Sequence, residues 1–165
     1  MLTGGQTGVD TYAALAALRA ELQVHLIFPA GYRQEDGALS PARRRQLGGA
    51  VLHELGATSF RYRTWTCVYL ADVVVLLDPA GGSGCRETAR AARKLGRPLL
   101  SPGPGLLSAD QAADWLAATG AQVLMVAGCR ASLLASKGKG SGARADAAAL
   151  ISGARRQHDR LVGQG

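Results

Sequence analysis

The stretch Leu2-Thr3-Gly4-Gly5-Gln6-Thr7-Gly8-Val9-Asp10 constrains this chain more than any other. Three glycines in five residues stand between a short strand and a helical pattern, so the segment reads as strand, glycine turn and helix start. Such a turn offers free N–H groups and the positive end of a helix dipole to an anion, phosphate or something of its shape. It is not the G-x-G-x-x-G fingerprint, and it lacks the lysine of a P-loop. On this reading Gly4, Gly5, Gln6, Thr7 and Gly8 surround the anion, and a valine at Gly5 removes binding and spares the fold. Asp10 either caps the helix or touches the ligand. The plainer alternative is a turn that only joins strand to helix.

Downstream, Ala14, Leu15, Leu18 and Leu22 recur at helical spacing, and Val24 to Phe28 reads as a strand stopped by Pro29. Pro29 to Gly37 reads as a polar loop. Leu47, Val51 and Leu55 mark a second helix closed by Gly56, Thr58 to Tyr62 a weaker strand, and Arg63 to Ala71 an irregular or short helical segment. Val73 to Leu77 is apolar throughout, as in a central parallel strand covered on both faces, and it leads through Asp78-Pro79 into a second glycine loop, Gly81-Gly82-Ser83-Gly84. A helix from about Cys85 to Leu95, a short strand Pro98 to Ser101, and a helix opened by the capping box of Ser108 and Gln111 and closed by Gly120 follow. The last strand, Gln122 to Ala127, runs into Gly128-Cys129-Arg130-Ala131-Ser132. A flexible Gly/Ser/Lys loop over 136–142 then precedes a terminal helix over 143–162. Six alternations of strand and helix predict an α/β fold, a doubly wound parallel sheet of about six strands with helices on both faces, in one domain over 1–165.

Open sheets of this kind bind ligands at the carboxyl ends of their strands. The loops beginning at Thr3, Pro29, Pro79 and Gly128 all follow strands, which predicts one composite pocket. Arg130, just past the last strand, is read as an anion contact over a surface ion pair, with Arg33 a second cation. Glu35 and Asp36 either read a ligand's polar edge or form a turn. Gly82, Ser83, Gly84 and Thr88 lie where amides and hydroxyls meet phosphate.

The net charge is +7, and residues 130–165 carry much of it. Only 5% of the chain is aromatic and that tail has no aromatic residue, so a nucleic-acid partner is not expected. Cys67, Cys85 and Cys129 form no C-x-x-C pair, and free thiols are expected rather than a metal site or disulfides. His25, His53 and His158 lie outside every motif and are read as structural or surface groups. No apolar run approaches the ~18 residues of a membrane span and no leader is visible, so the expected setting is cytoplasmic, without a membrane partner.

Four segments resemble the molybdenum-cofactor carrier proteins and their YpsA-type relatives, in the group of Rossmann-like, lysine-decarboxylase-like folds. They are Gly4 to Asp10, Pro29-x-Gly31-x-Arg33-x-Glu35-Asp36-Gly37, Arg63-Thr64-x-x-Cys67-Val68-x-x-Ala71-Asp72, and Val126-Ala127-Gly128-x-Arg130-x-Ser132. Cys67 stands where that family has Asn, and Gln34 where it has Ala. The resemblance implies a Rossmann-like fold and homo-oligomers, dimers or tetramers. It also implies a pocket, with Ser132 among its residues, for the molybdenum cofactor (molybdopterin) as cargo, destined for a molybdoenzyme acceptor. Molybdate, phosphate or a nucleotide are the alternative ligands, and a nucleotide-derived ligand sensor is the alternative role. A phosphoribohydrolase-like enzyme is less expected, because Thr88 occupies the place of the catalytic Glu and Glu87, one position early, is expected to point away from the ligand.

Overall fold

The computed structural model describes residues 1–77, 82–103 and 105–163. The expectations for Asp78, Pro79 and Gly81 therefore fall outside the described residues. In chain order the elements are β1 (Leu2–Thr3), α1 (Val9–Arg19), β2 (His25–Phe28), β3 (Arg33–Gln34), β4 (Gly37–Ala38), α2 (Pro41–Gln46), β5 (Val51–Glu54), α3 (Phe60–Leu70), β6 (Val73–Leu77), α4 (Ser83–Lys94), β7 (Leu99–Leu100), α5 (Ala109–Thr119), β8 (Leu124–Gly128), α6 (Ala131–Ser136) and α7 (Gly140–Val162).

Six strands make one sheet in the order β5-β2-β1-β8-β6-β7, every pairing parallel. This is the Rossmann-like α/β architecture that the alternation predicted. Helices α1, α5 and α7 pack together, as do α3 with α4. All five residues of β6 are buried, which explains its unbroken apolar sequence. The late strand β8 inserts between β1 and β6, with Leu2 opposite Met125 and Leu77 opposite Gly128. The chain thus steps outward from β1 in one direction and returns on the other side, leaving a crevice at the strands' carboxyl ends.

Between residues 40 and 70 the sequence reading fails. Ser40 caps α2 by accepting from Arg43 N, Pro41 sits at its first position, and the helix ends before Gly48-Gly49. Val51 is therefore in strand β5, not in a helix running to Leu55, and β5 pairs with β2. Ser59 then caps α3 by accepting from Tyr62 N, so Thr58 to Tyr62 is a helix start and not a strand. In α1 the buried stripe is Ala13, Ala14 and Ala17 rather than the leucines, and Leu22 lies beyond the helix. Residues 33–38 form a small hairpin inside the expected polar loop. Helix α7 begins at Gly140, so only 137–139 separate it from α6. Its packing on α5 and α1 outweighs the ~1 kcal/mol propensity penalty of each glycine. The capping box at Ser108 is formed as expected, and Gly120 adopts the left-handed conformation.

Gly5 is glycine for the fold's sake. Its φ is +64° and an added Cβ would lie 2.4 Å from the Phe28 ring. A valine there does not spare the fold, contrary to the expectation from sequence. Gly5→Ala is expected to cost about 2–4 kcal/mol, combining left-handed strain with overpacking. Gly56→Ala, where a Cβ meets nothing within 4 Å, serves as the control in chemical denaturation.

Candidate functional site

At the carboxyl ends of the strands lies a cavity of about 430 Å³. Met125 and Ala127 of β8 floor it, the first turn of α3 forms one wall, and the start of α4 forms another. Of the residues singled out from sequence, Gln6, Asp10, Glu35, Gly82, Ser83, Gly84, Thr88 and Arg130 line it. Gly4, Gly5, Thr7, Gly8, Arg33, Asp36 and Ser132 are not on its wall, although several hold residues that are.

The first glycine loop is occupied by the protein itself. The Asp10 carboxylate accepts from Gln6 N at 3.1 Å, Gln6 Oε1 accepts from Thr7 N and Glu35 N, and Val9 N donates to Cys129 O. A Cβ on Gly8 would lie 2.4 Å from Cys129 O, and one on Gly4 would lie 1.2 Å from Arg63 Nη1. These glycines admit neighbouring parts of the chain. Gln34, buried outside the cavity, donates to Gly5 O and accepts from Arg43. Asp36 is spent on an ion pair with Arg43, and Arg33 sits over the Phe60 ring.

Arg63 is the residue that sequence inspection quoted within a motif but did not nominate. It lies in the first turn of α3, at the start of the segment expected to be irregular or a short helix, and it is only 8% exposed. Its Nη1 is 3.5 Å from Asp10 Oδ2, while its Nε is buried without a hydrogen-bond partner. Burial pushes the Asp10 carboxyl above its ordinary pKa, and the Arg63 charge and the Gln6 N–H only partly offset this. Cys67, one turn further along α3, is fully buried, and burial pushes its thiol up to about 12. It does not line the cavity.

Opposite Arg63, α4 is preceded by Gly82 with no side-chain cap on its first N–H groups, and Gly82 to Cys85 line the cavity. Thr88 turns its hydroxyl back onto Gly84 O. Glu87 does line the cavity, against the rotation argument. Its Oε1 accepts from Arg61 Nε at 2.9 Å and Trp65 Nε1 at 2.5 Å, and the Trp65 bond leads in holding its carboxyl below the ordinary pKa. A carboxylate so held is ionised at neutral pH and is not a proton donor.

Glu35 ties three loops together. It accepts from Thr7 Oγ1, from Ser132 N at 3.2 Å and Ser132 Oγ at 2.5 Å, and pairs with Arg130 Nε at 3.3 Å. Arg130 therefore has a protein partner and is half exposed. Burial raises the Glu35 pKa, but the bonds from Ser132 and Thr7 and the Arg130 charge outweigh it, and the net shift is downward. Its contribution to stability is complete above the ordinary value of 4.5 and is lost as pH falls through the lower folded value. Glu35→Gln is expected to cost about 1 kcal/mol at pH 7, a solvent-screened charge-assisted pair, and to flatten the acid limb of a stability-versus-pH curve from urea titrations.

Among the described residues no group of three or more His, Cys, Asp or Glu is placed to hold a metal ion, and no helix is long and apolar enough to cross a membrane. The solved structure named "Putative molybdenum carrier protein", from Syntrophus aciditrophicus, superimposes with a TM-score of 0.72 at 23% identity, covering 91% of this chain and 92% of that one. That likeness shows the fold. No curated protein matches the chain. The family model described as "Circularly permutated YpsA SLOG family" matches residues 1–145, and the chain belongs to that family.

Proposed function

We propose that the cavity binds and carries the molybdenum cofactor or a close chemical relative, a polar heterocycle bearing a phosphate-type oxyanion. The observation that carries this reading is the Arg63 guanidinium on the cavity wall, nine-tenths buried and with its Nε unpartnered, beside a chamber that the uncapped start of α4 also lines. A buried guanidinium N–H without an acceptor costs about 1–3 kcal/mol, and an oxyanion supplies that acceptor together with the α4 amides. The name printed for the Syntrophus aciditrophicus structure is consistent with such cargo.

The balance of charge narrows the ligand class. Three arginines line the cavity, Arg61, Arg63 and Arg130, and each is paired with one of three carboxylates, Glu87, Asp10 and Glu35. The lining is formally neutral, so a bare dianion such as molybdate gains little from the general field. A ligand with an anionic end and a donor-acceptor edge uses both halves, while Phe60, Met125 and Leu133 offer apolar surface to a ring. The volume is within the ordinary range for such ligands, ~300–1,000 Å³.

Binding is measured by calorimetry under anaerobic conditions with the pterin cofactor, a nucleotide panel and molybdate. Arg63→Lys keeps the charge opposite Asp10 but removes the Nε donor, and it is expected to weaken the preferred ligand about ten- to a hundredfold. Arg130→Ala is expected to matter less, because that side chain already serves Glu35, and Arg33→Ala least. Wild-type binding of nucleotides alone sinks the carrier reading in favour of a sensor, and equal affinities for wild type and Arg63→Lys remove the site from Arg63.

A further inference from the structure

Half of the chain's Phe, Trp and Tyr fall within α3: Phe60, Tyr62, Trp65 and Tyr69. Cys67 and Val68 of that helix enter the core, while Tyr62 and Tyr69, seven residues apart and so on one face, are 57% and 64% exposed. Helix α4 lies alongside. Arg61 and Trp65 reach across to Glu87, and Arg97, just beyond the end of α4, donates to Tyr69 O at 2.8 Å, so the two helices run side by side from their first turns to their last. The exposed residues of α4 are Ser83, Gly84, Arg86, Arg90, Arg93 and Lys94. Its single carboxylate, Glu87, is already paired with Arg61, and among the described residues none of Arg86, Arg90, Arg93 and Lys94 has an ion-pair partner. Neither these four cations nor the two tyrosines line the cavity, so the surface is separate from the site described above.

We propose that this surface binds single-stranded nucleic acid, with the α4 cations on phosphates and the tyrosine rings stacked on bases. The first argument is juxtaposition. Sequence alone discounted a nucleic-acid partner because the basic tail carries no aromatic residue, whereas the fold sets the aromatic helix beside a different basic segment. Cations that track a backbone, next to exposed rings, are how proteins hold unpaired strands. The second is spacing. Arg86, Arg90 and Arg93 stand at i, i+4 and i+7, a stripe about 10 Å long that follows a strand rather than one phosphate. The third is residue type. Three of the four cations are arginines, whose planar forks pair with phosphate oxygens and stack on rings. A duplex keeps its base faces stacked away from the tyrosines, and a bilayer finds no apolar side chain among the exposed residues of α4.

The test is fluorescence anisotropy with a short labelled oligouridylate, which does not depend on whether the cavity holds cofactor. Wild type is expected to bind it at least tenfold more tightly than an RNA duplex of the same length, with log affinity falling against log salt at a slope of about −2. Replacing both tyrosines, Tyr62→Ala with Tyr69→Ala, is expected to weaken binding at least tenfold and leave the slope unchanged. Arg90→Gln with Arg93→Gln is expected to reduce the slope by about one, and decides the matter if the tyrosine variant folds poorly by circular dichroism. Arg160→Gln, on the basic tail, is expected to change neither quantity. No binding of oligouridylate by wild type overturns the proposal, and so does binding unaltered in both double variants. Equal affinity for the duplex, or displacement by polyglutamate as readily as by unlabelled oligouridylate, also overturns it, leaving only a general attraction for anions.

Discussion

A guanidinium is buried here against a carboxylate, and the site is arranged around that pair. Arg63 reaches from the first turn of α3 to Asp10 in the first turn of α1, crossing the Cα of Gly4 so closely that no side chain fits between them. The contact joins the β1 loop to the helix after β5, two segments with β2 between their strands. It fixes how far α3 stands from β8, and so the width of the cavity. At 3.5 Å the pair leaves Asp10 poorly compensated for its burial and Arg63 Nε with no acceptor. Buried ion pairs are weak sources of stability, and this one is incomplete even by that standard.

Glu35 plays the complementary part at the rim. A carboxylate fed by Thr7, Ser132 and Arg130 fills the space that an anion would otherwise take at the β8 loop. The protein thus supplies its own anion at the first glycine loop and at the β8 loop, whereas the α4 start has no side-chain cap and Arg63 Nε no acceptor.

The parts of the chain that were legible in the sequence are those where one local signal stood alone. Val73 to Leu77 had no competing pattern, and Ser108 with Gln111 stated a helix start without ambiguity. Between Ser40 and Leu70 the signals overlapped. Leu47, Val51 and Leu55 fit a helical period, but Gly48-Gly49 cuts it and strand pairing with β2 takes Val51. That error displaced the cap at Ser59, and with it the first turn of α3. The glycines were read correctly as places where something comes close and wrongly as to what: Phe28, Arg63 and the Cys129–Ala131 backbone are the close neighbours. Local sequence reports that a Cβ is absent, and only the tertiary fold reports which atom uses the space.

The same distinction bears on Cys67, which stands where the motif of the carrier family it resembles has Asn. Its thiol is buried below the cavity, is neutral at physiological pH, and lies against Arg63, not against the ligand space. An amide at this position brings a strong acceptor to the guanidinium, whereas a thiol is a weak one. With cysteine the guanidinium has only a weak acceptor on its own helix. Under the proposed function, the departure at position 67 would act on ligand affinity through the arginine beside it.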